Sequence, residues 1–282
     1  MLIPQIALVP DPALAPAETA DVSGKLQGLA AALQIQVDKH FSPLWQAAGT
    51  IAYFDDLTQV PSGFWPIVIT DAIADPRILG FHLDGTNQPY AVVRYTPDWT
   101  LTTSHELLEM LADPWGNRLV AGPSVDDRTA DDQVRYLVEV CDPVEDVAYA
   151  YTINGFVVSD FITPAYHNPK DSANDQYDYT GKITAPRQIL PNGYITWEDL
   201  TDGKIYQLEV DAAGNKSIQP LDTGPISSVR SLREAVNRLT PSPAQMFRAD
   251  AGPAPFAEAR QNGVRRAAAQ RAERLRRLLR PD

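Results

Sequence analysis

The chain has 282 residues, 44% of them hydrophobic and 9% aromatic, so it can bury a sizeable core as one large domain or two modest ones. Its single cysteine, Cys141, excludes an internal disulfide framework and a multi-cysteine zinc site. The net charge is −12, but residues 241–282 carry nine arginines against four acids, which leaves −17 on the first 240 residues. Such an acidic body argues against nucleic-acid binding over the whole surface.

Residues 1–21 are rich in proline and alanine, and we expect them to form an extended leader. The run 1–10 lacks a basic start, a long apolar stretch and a small-residue cleavage site, so we expect no signal peptide. No stretch approaches the roughly 18 apolar residues of a membrane span. These observations predict a cytoplasmic protein, or one that is released or assembled into a particle without a signal peptide.

Residues 22–240 are predicted to form one α+β domain with a β-rich C-terminal part. Apolar residues at spacings of three and four predict an amphipathic helix over 22–40, capped by Asp21 or Ser23. Asn154-Gly155 and Ala213-Gly214 predict hairpin turns. Runs of β-branched and aromatic residues predict strands at 50–54, 65–70, 90–95, 136–140, 149–152, 156–158, 194–197, 205–210 and 216–220.

The predicted helix over residues 102–112 carries the candidate site. Thr103, followed three residues later by Glu106, makes a capping box. His105 and Glu109 lie one turn apart on one face, and an imidazole nitrogen and a carboxylate oxygen are both competent zinc ligands. Glu106 points roughly 100° away from His105, where it would act on a water as a general base.

This His-Glu-x-x-Glu pattern differs at one position from the His-Glu-x-x-His pattern of metallopeptidases, because Glu109 stands where the second histidine would be. Two carboxylate ligands nearly neutralise a dication, so water at the metal is acidified less. Carboxylates are also harder ligands, which brings manganese and calcium into consideration beside zinc.

A catalytic zinc needs a third protein ligand and an open position. Glu139 alternates with apolar neighbours in the predicted strand 136–140, and a carboxylate placed there needs a partner. We therefore predict Glu139 as the third ligand, with Asp142 and His167 as the alternatives. The two remaining histidines, His40 and His82, are interpreted as structural.

Three segments together resemble a bacterial and phage family whose members are similar to zincin-type metallopeptidases: 104–114 (SHELLEMLADP), 139–143 (EVCDP) and 159–166 (SDFITPAY). The resemblance covers residues 22–200. It implies an α+β lobe with a mixed sheet, whose edge strand aligns an extended peptide substrate. Residues 90–95 would be that edge strand, and His105 and Glu109 would lie on the active-site helix.

The first functional hypothesis is thus a zinc-dependent peptidase, with zinc held by His105, Glu109 and Glu139, water activated by Glu106, and a peptide or protein as substrate. The alternative is a non-catalytic zincin-fold structural or binding protein, attached to a larger assembly such as a phage-like particle by its basic tail.

That tail is predicted to comprise a linker rich in proline and alanine over 241–255 and an arginine-rich helix over 256–280. Leu275, Leu278 and Leu279 give this helix an apolar stripe, which favours a protein partner. Nucleic acid would bind only through this tail.

Overall fold

The computed structural model describes residues 3–73, 79–85, 88–170 and 174–221. These residues form a mixed α+β fold with two large sheets, a small hairpin and few helices, in agreement with the predicted class. Among them, no helix combines the length and apolar character that crossing a membrane requires. The predicted linker and arginine-rich helix of residues 241–282 lie outside the described residues.

The first sheet is mixed and contains the strands β1 (Gln5–Pro10), β2 (Thr50–Tyr53), β3 (Phe64–Thr70), β4 (Gly80–Gly85) and β5 (Gln88–Arg94). Their order is β2-β1-β3-β5-β4. All neighbouring pairs are parallel except β4 and β5, which run antiparallel. The sheet therefore ends in one antiparallel edge strand, β4.

The first strand of this sheet corrects the predicted leader over residues 1–21. Residues 5–10 pair with strands on both sides, and the four side chains from Ile6 to Val9 are fully buried. A parallel strand covered on both faces is apolar throughout and shows no alternation, so its pattern resembles a short apolar run. Pro4 and Pro10, which look like interruptions, stand just before the strand and at its last position, where proline is tolerated.

Helix α1 (Pro16–Ile35) confirms the predicted helix but begins earlier than residue 22. Its N-terminus carries Pro16 in the first turn, and the Glu18 carboxylate accepts a hydrogen bond from the Ala15 N–H at 3.0 Å, so the predicted cap at Asp21 or Ser23 is wrong. The helix continues through a π-helical turn (Gln36–Phe41) into the short helix α2 (Ser42–Trp45).

Helix α3 (Trp99–Ala112) confirms the helix predicted over 102–112, with a start three residues earlier. Thr103 is therefore inside the helix, where its hydroxyl donates to the Trp99 carbonyl at 2.7 Å. The predicted capping box of Thr103 and Glu106 is wrong for this reason, and Glu106 has a different environment. The helix packs against β3, β4 and β5.

The second sheet is antiparallel throughout and supplies the β-rich C-terminal part. The Asn154-Gly155 turn has positive φ at both residues, as predicted, and joins the two strands of the separate hairpin. The sheet has the order β12-β11-β10-β7-β6. The strands of both units are β6 (Leu119–Pro123), β7 (Gln133–Leu137), β8 (Tyr151–Ile153), β9 (Phe156–Val158), β10 (Tyr194–Asp199), β11 (Ile205–Val210) and β12 (Lys216–Leu221).

The place of β5 in its sheet and the end of β7 both differ from the predicted surroundings of the site. Strand β5, predicted at 90–95 to be the edge that aligns a substrate, lies between β3 and β4, so this prediction is wrong and β4 is the edge. Strand β7 ends at Leu137, so the strand predicted over 136–140 stops early and Glu139 lies beyond its end. Strands β1, β4 and β6 were absent from the predicted set.

A buried carboxyl pair fastens the segment that follows β9. Asp160 is fully buried, and burial together with a hydrogen bond to Asp178 raises its pKa to about 7. Its carboxylate accepts hydrogen bonds from the Phe161 N–H at 2.8 Å and the Thr180 hydroxyl at 2.6 Å. Asp160 is therefore protonated below about pH 7, and ionising it costs stability.

We expect Asp160→Asn to flatten the pH dependence of stability. A folded-state pKa near 7, above the unfolded value of about 3.9, means that wild type loses stability as pH rises between these values. The loss attributable to this group is on the order of 4 kcal/mol. Urea unfolding between pH 4.5 and 8 should show a correspondingly smaller change in the variant. Asp127→Asn, at an exposed position, serves as control, and equal slopes for wild type and Asp160→Asn would contradict the prediction.

Candidate metal centre

The centre is built on the inward face of α3, where His105, Glu106 and Glu109 lie. As their spacing of four predicts, the side chains of His105 and Glu109 meet, with 3.3 Å between His105 Nε2 and Glu109 Oε2. Glu106 and Glu109 are buried, while the His105 side chain keeps 14% of its surface exposed. His105 is therefore mostly buried but is the most exposed of the three.

The turn after β7 adds two acids beside His105. Asp142 opens a short 3-10 turn (Asp142–Val144), and its Oδ1 lies 3.2 Å from His105 Nε2. Ligand atoms of His105, Asp142 and Glu145 all lie within 4.8 Å of one another, and we call these residues the outer group. Glu145 is half-buried and lines a cleft of about 450 Å³, so this member of the outer group lies at the protein surface, whereas Asp142 is buried.

The edge strand β4 brings a second histidine to the other side of Glu109. His82 Nδ1 lies 3.6 Å from Glu109 Oε2 and 3.4 Å from Glu106 Oε2. Ligand atoms of His82, Glu109 and Glu139 lie within 4.8 Å of one another, and we call these three buried residues the inner group. The two groups meet where Glu109 contacts both histidines.

The predicted ligands His105, Glu109 and Glu139 are thus distributed over both groups. Glu139 lies with His82 and Glu109, whereas Asp142, one of the alternatives, is the acid in contact with His105. His167, the other alternative, is in neither group of described residues. Its ring packs against Tyr136 and Tyr166, and burial, reinforced by nearby arginines, lowers its pKa to about 3.

Hydrogen bonds behind the acids fix the orientation of Glu109 and of α3. The Cys141 N–H donates to Glu109 Oε1 at 3.2 Å, and the Cys141 thiol donates to the His105 carbonyl at 3.8 Å. The Ser104 hydroxyl donates to Gln36 Oε1 at 2.8 Å, and Gln36 Nε2 donates to the Ser159 carbonyl at 2.9 Å. This buried network ties α3 to the π-helical turn that begins at Gln36.

Two glycines permit close approach at the site. A Cβ on Gly80 would lie 2.6 Å from Glu106 Oε1, so the glycine makes room for that carboxylate beneath β4. A Cβ on Gly193 would lie 2.8 Å from the Asp142 carbonyl and 2.7 Å from the Pro143 carbonyl. The segment leading into β10 therefore packs directly on the backbone that carries Asp142.

The outer group titrates unusually. Burial lowers the pKa of His105, but the Glu109 carboxylate and the contact with Asp142 outweigh it and raise this pKa well above its ordinary range. Burial, then Asp142, raises the pKa of Glu145 to about 8. Both residues are therefore protonated at neutral pH in the absence of a cation, and a cation that binds them has to displace protons.

The donor atoms fit a divalent metal. Ligands on a tetrahedral zinc with bonds of about 2.0–2.2 Å are about 3.3–3.6 Å apart. The nitrogen–oxygen distances between the histidines and their acids are 3.2, 3.3 and 3.6 Å, at or near this range and longer than a typical charge-assisted hydrogen bond of about 2.8 Å. Imidazole with carboxylate is a donor set that zinc and manganese accept.

Comparison with known proteins gave no match to a family model, a curated protein or a solved structure. The chemistry of the centre therefore follows from its own residues. His82 and Glu145 belong to it although neither was predicted as a member from the sequence. Glu145 follows Asp142 by three residues, so a turn shared by the two acids could have indicated that they lie together. Nothing near His82 in the sequence links that histidine to α3.

Gly193→Ala should destabilise the fold, because the added methyl meets backbone carbonyls that cannot rotate away. We expect a loss of about 1–3 kcal/mol in the free energy of unfolding, measured by urea denaturation. Gly24→Ala is the matched control: Gly24 is exposed within α1 and a Cβ there meets no atom within 4 Å, so stability should rise by about 0.5–1 kcal/mol. A neutral Gly193→Ala would show that this contact relaxes freely.

Cys141 should be unreactive in the folded protein. Its side chain is fully buried, and burial raises the pKa of the thiol well above its ordinary range, so little thiolate is present or accessible. Titration of the native protein with a chromogenic disulfide at pH 8 should detect almost no thiol. In about 6 M guanidinium chloride, which unfolds even hyperstable domains, the same titration should detect one thiol per chain. Rapid labelling of the native protein would mean that the turn after β7 opens readily.

Proposed function

We propose that this protein is a zinc-dependent peptidase of the zincin type. The observation that carries the proposal is the position of His105 Nε2, 3.3 Å from Glu109 Oε2 and 3.2 Å from Asp142 Oδ1, in a group whose third member, Glu145, lines a cleft. A catalytic zinc requires three protein ligands and access for water and substrate. The outer group, with Glu109 beside it, meets both requirements.

The fold around the helix supports this proposal. Helix α3 packs against the edge of a mixed sheet whose last strand, β4, is antiparallel to its neighbour. An exposed sheet edge binds an extended peptide by adding it as a further strand, through backbone hydrogen bonds. In this proposal β4 aligns the substrate, and its residues Gly80 and His82 lie directly over Glu106.

The proposed zinc ligands are His105, Glu109 and Asp142. Asp142 takes the place of the predicted Glu139, because it is the acid that contacts His105. When bound, zinc supplies a Lewis acid that polarises the scissile carbonyl and lowers the pKa of water. Cys141 positions the Glu109 carboxylate through its backbone N–H, and Gly193 holds the turn that carries Asp142.

Glu106 is the proposed general base. It follows the ligand His105 directly, is 4% exposed, and directs its carboxylate towards β4, where the substrate would lie. There it takes a proton from the attacking water and delivers it to the amine that leaves. His82, with Nδ1 at 3.4 Å from Glu106 Oε2, keeps this carboxylate in place.

The proposed substrate is a peptide or an unfolded protein segment, because β4 is the last strand of its sheet among the described residues and a substrate strand would pair there. The basic tail remains a proposed docking segment for a larger assembly, and it lies outside the described residues. The non-catalytic alternative keeps the zincin fold, with or without a metal, and lacks the cleavage, so metal content and peptide cleavage measured together separate the two hypotheses.

Glu106→Gln should abolish cleavage while leaving zinc bound, since the amide keeps the shape of the side chain but accepts no proton. Removing a general base costs roughly 10²–10⁴-fold in rate. Zinc content is measured by mass spectrometry of dialysed protein, and cleavage with fluorescein-labelled casein and a peptide library.

Glu18→Gln is the matched control, because glutamine at the third position of α1 preserves the cap and the residue lies outside both groups. It should cleave at the wild-type rate. Undiminished cleavage by Glu106→Gln contradicts the role of Glu106. Bound zinc without cleavage of any peptide supports the non-catalytic alternative, and a wild-type chain that binds no zinc refutes the metal site.

A further inference from the structure

In the mechanism proposed above Glu109 binds zinc and His82 positions Glu106, but the inner group holds no ion there, although it contains a histidine and two acids at ligand spacing. His82 comes from β4, Glu109 from α3 and Glu139 from the segment between β7 and the Asp142 turn. All three are at most 6% exposed. Three elements distant in sequence thus converge on one point in the interior with one potential donor atom each.

We propose that the inner group holds a second divalent cation, so that the centre is dinuclear and Glu109 bridges the two ions. This inference rests on the proposed function, in which the outer group with Glu109 binds the first ion. The inner ion would be held by His82, Glu109 and Glu139, and the outer ion by His105, Glu109 and Asp142, with Glu145 next to it.

The position of Glu109 supports a bridge. Its Oε2 lies 3.3 Å from His105 Nε2 and 3.6 Å from His82 Nδ1, so one oxygen is within ligand spacing of a nitrogen in each group. The ions of two-metal hydrolases are about 3.5–4 Å apart, a separation that a single carboxylate can span. The Cys141 N–H on Glu109 Oε1 holds this carboxylate in the required orientation.

The unequal burial of the two groups predicts unequal exchange. The side chains of His82 and Glu109 are each 2% exposed, against 14% for His105. The outer ion has the more exposed histidine and lies next to Glu145, which lines a cleft, so a chelator should remove it first, whereas the inner ion should leave only after the surrounding structure opens. We therefore expect removal of metal by a chelator to proceed in a fast and a slow phase of equal amplitude.

The ligand chemistry selects the probes. Both groups offer imidazole and carboxylate and no thiolate, which suits zinc, cobalt and manganese. Cobalt serves as a spectroscopic substitute, and two manganese ions that share a carboxylate give an exchange-coupled paramagnetic resonance spectrum. A single manganese ion gives the six-line spectrum of an isolated centre.

The test is the number of ions per full-length chain after chelation, dialysis and titration with zinc. We expect two in wild type, one in His82→Gln, and one in Asp142→Asn, with the fast phase of release missing only in Asp142→Asn. His40→Gln, which changes a histidine outside both groups, should keep two ions. Circular dichroism and the shielding of Cys141 establish that each variant is folded, and Glu139→Gln replaces His82→Gln if the latter fails to fold.

Different results separate this inference from the proposed function. One ion in wild type that is lost in both His82→Gln and Asp142→Asn would overturn the dinuclear centre and leave a mononuclear peptidase. One ion lost only in Asp142→Asn does the same and leaves the inner group empty. Two ions in a folded His82→Gln, with Glu139→Gln also at two, would place the second ion elsewhere. No bound ion in wild type refutes both proposals.

Discussion

The Glu109 carboxylate is the point on which the centre and much of the packing around it depend. One of its oxygens faces His82 and His105, and the other accepts the Cys141 N–H. A carboxylate buried to this degree costs several kcal/mol unless polar partners surround it. Helix α3, edge strand β4 and the turn after β7 must therefore assemble together, because each supplies part of its environment.

The same requirement explains the close contacts at the border of the centre. Gly80 allows β4 to lie on Glu106, and Gly193 allows the segment before β10 to lie on the Asp142 backbone. Behind α3, Gln36 connects Ser104 with Ser159 at the start of a π-helical turn. Such turns are frequent at functional sites, since they displace one side chain from the regular helical positions. Here the turn begins with Gln36, whose side-chain amide accepts the hydrogen bond from Ser104 of α3.

The part of the centre that the sequence predicted is the part governed by local spacing. His105 and Glu109 meet because residues four apart share a helix face, and this holds in any helix. His82 and Asp142 reach the same point through strand pairing and a turn, and neither follows from periodicity. Glu139, predicted as the third ligand, lies within ligand spacing of Glu109, but it stands beyond the end of β7 and not within the predicted strand.

The fold was predictable to a similar degree. Most strands of the antiparallel sheet and both long helices were recognised from alternation and from helical spacing. Strand β1 escaped because a strand covered on both faces does not alternate, and β4 because His82 and Gly85 interrupt its apolar pattern. The supposed capping box failed because α3 begins at Trp99, outside the residues whose pattern suggested its start.

The distances along the chain between His82, Glu109 and Glu139 have a consequence for the whole molecule. An ion held by these three residues joins segments up to 57 positions apart, as a disulfide would in a chain with more than one cysteine. Because such an ion binds the folded chain and not the unfolded one, its concentration sets the population of unfolded molecules. Metal supply in the cell would then govern how long each copy survives proteolysis, independently of any reaction that the centre catalyses.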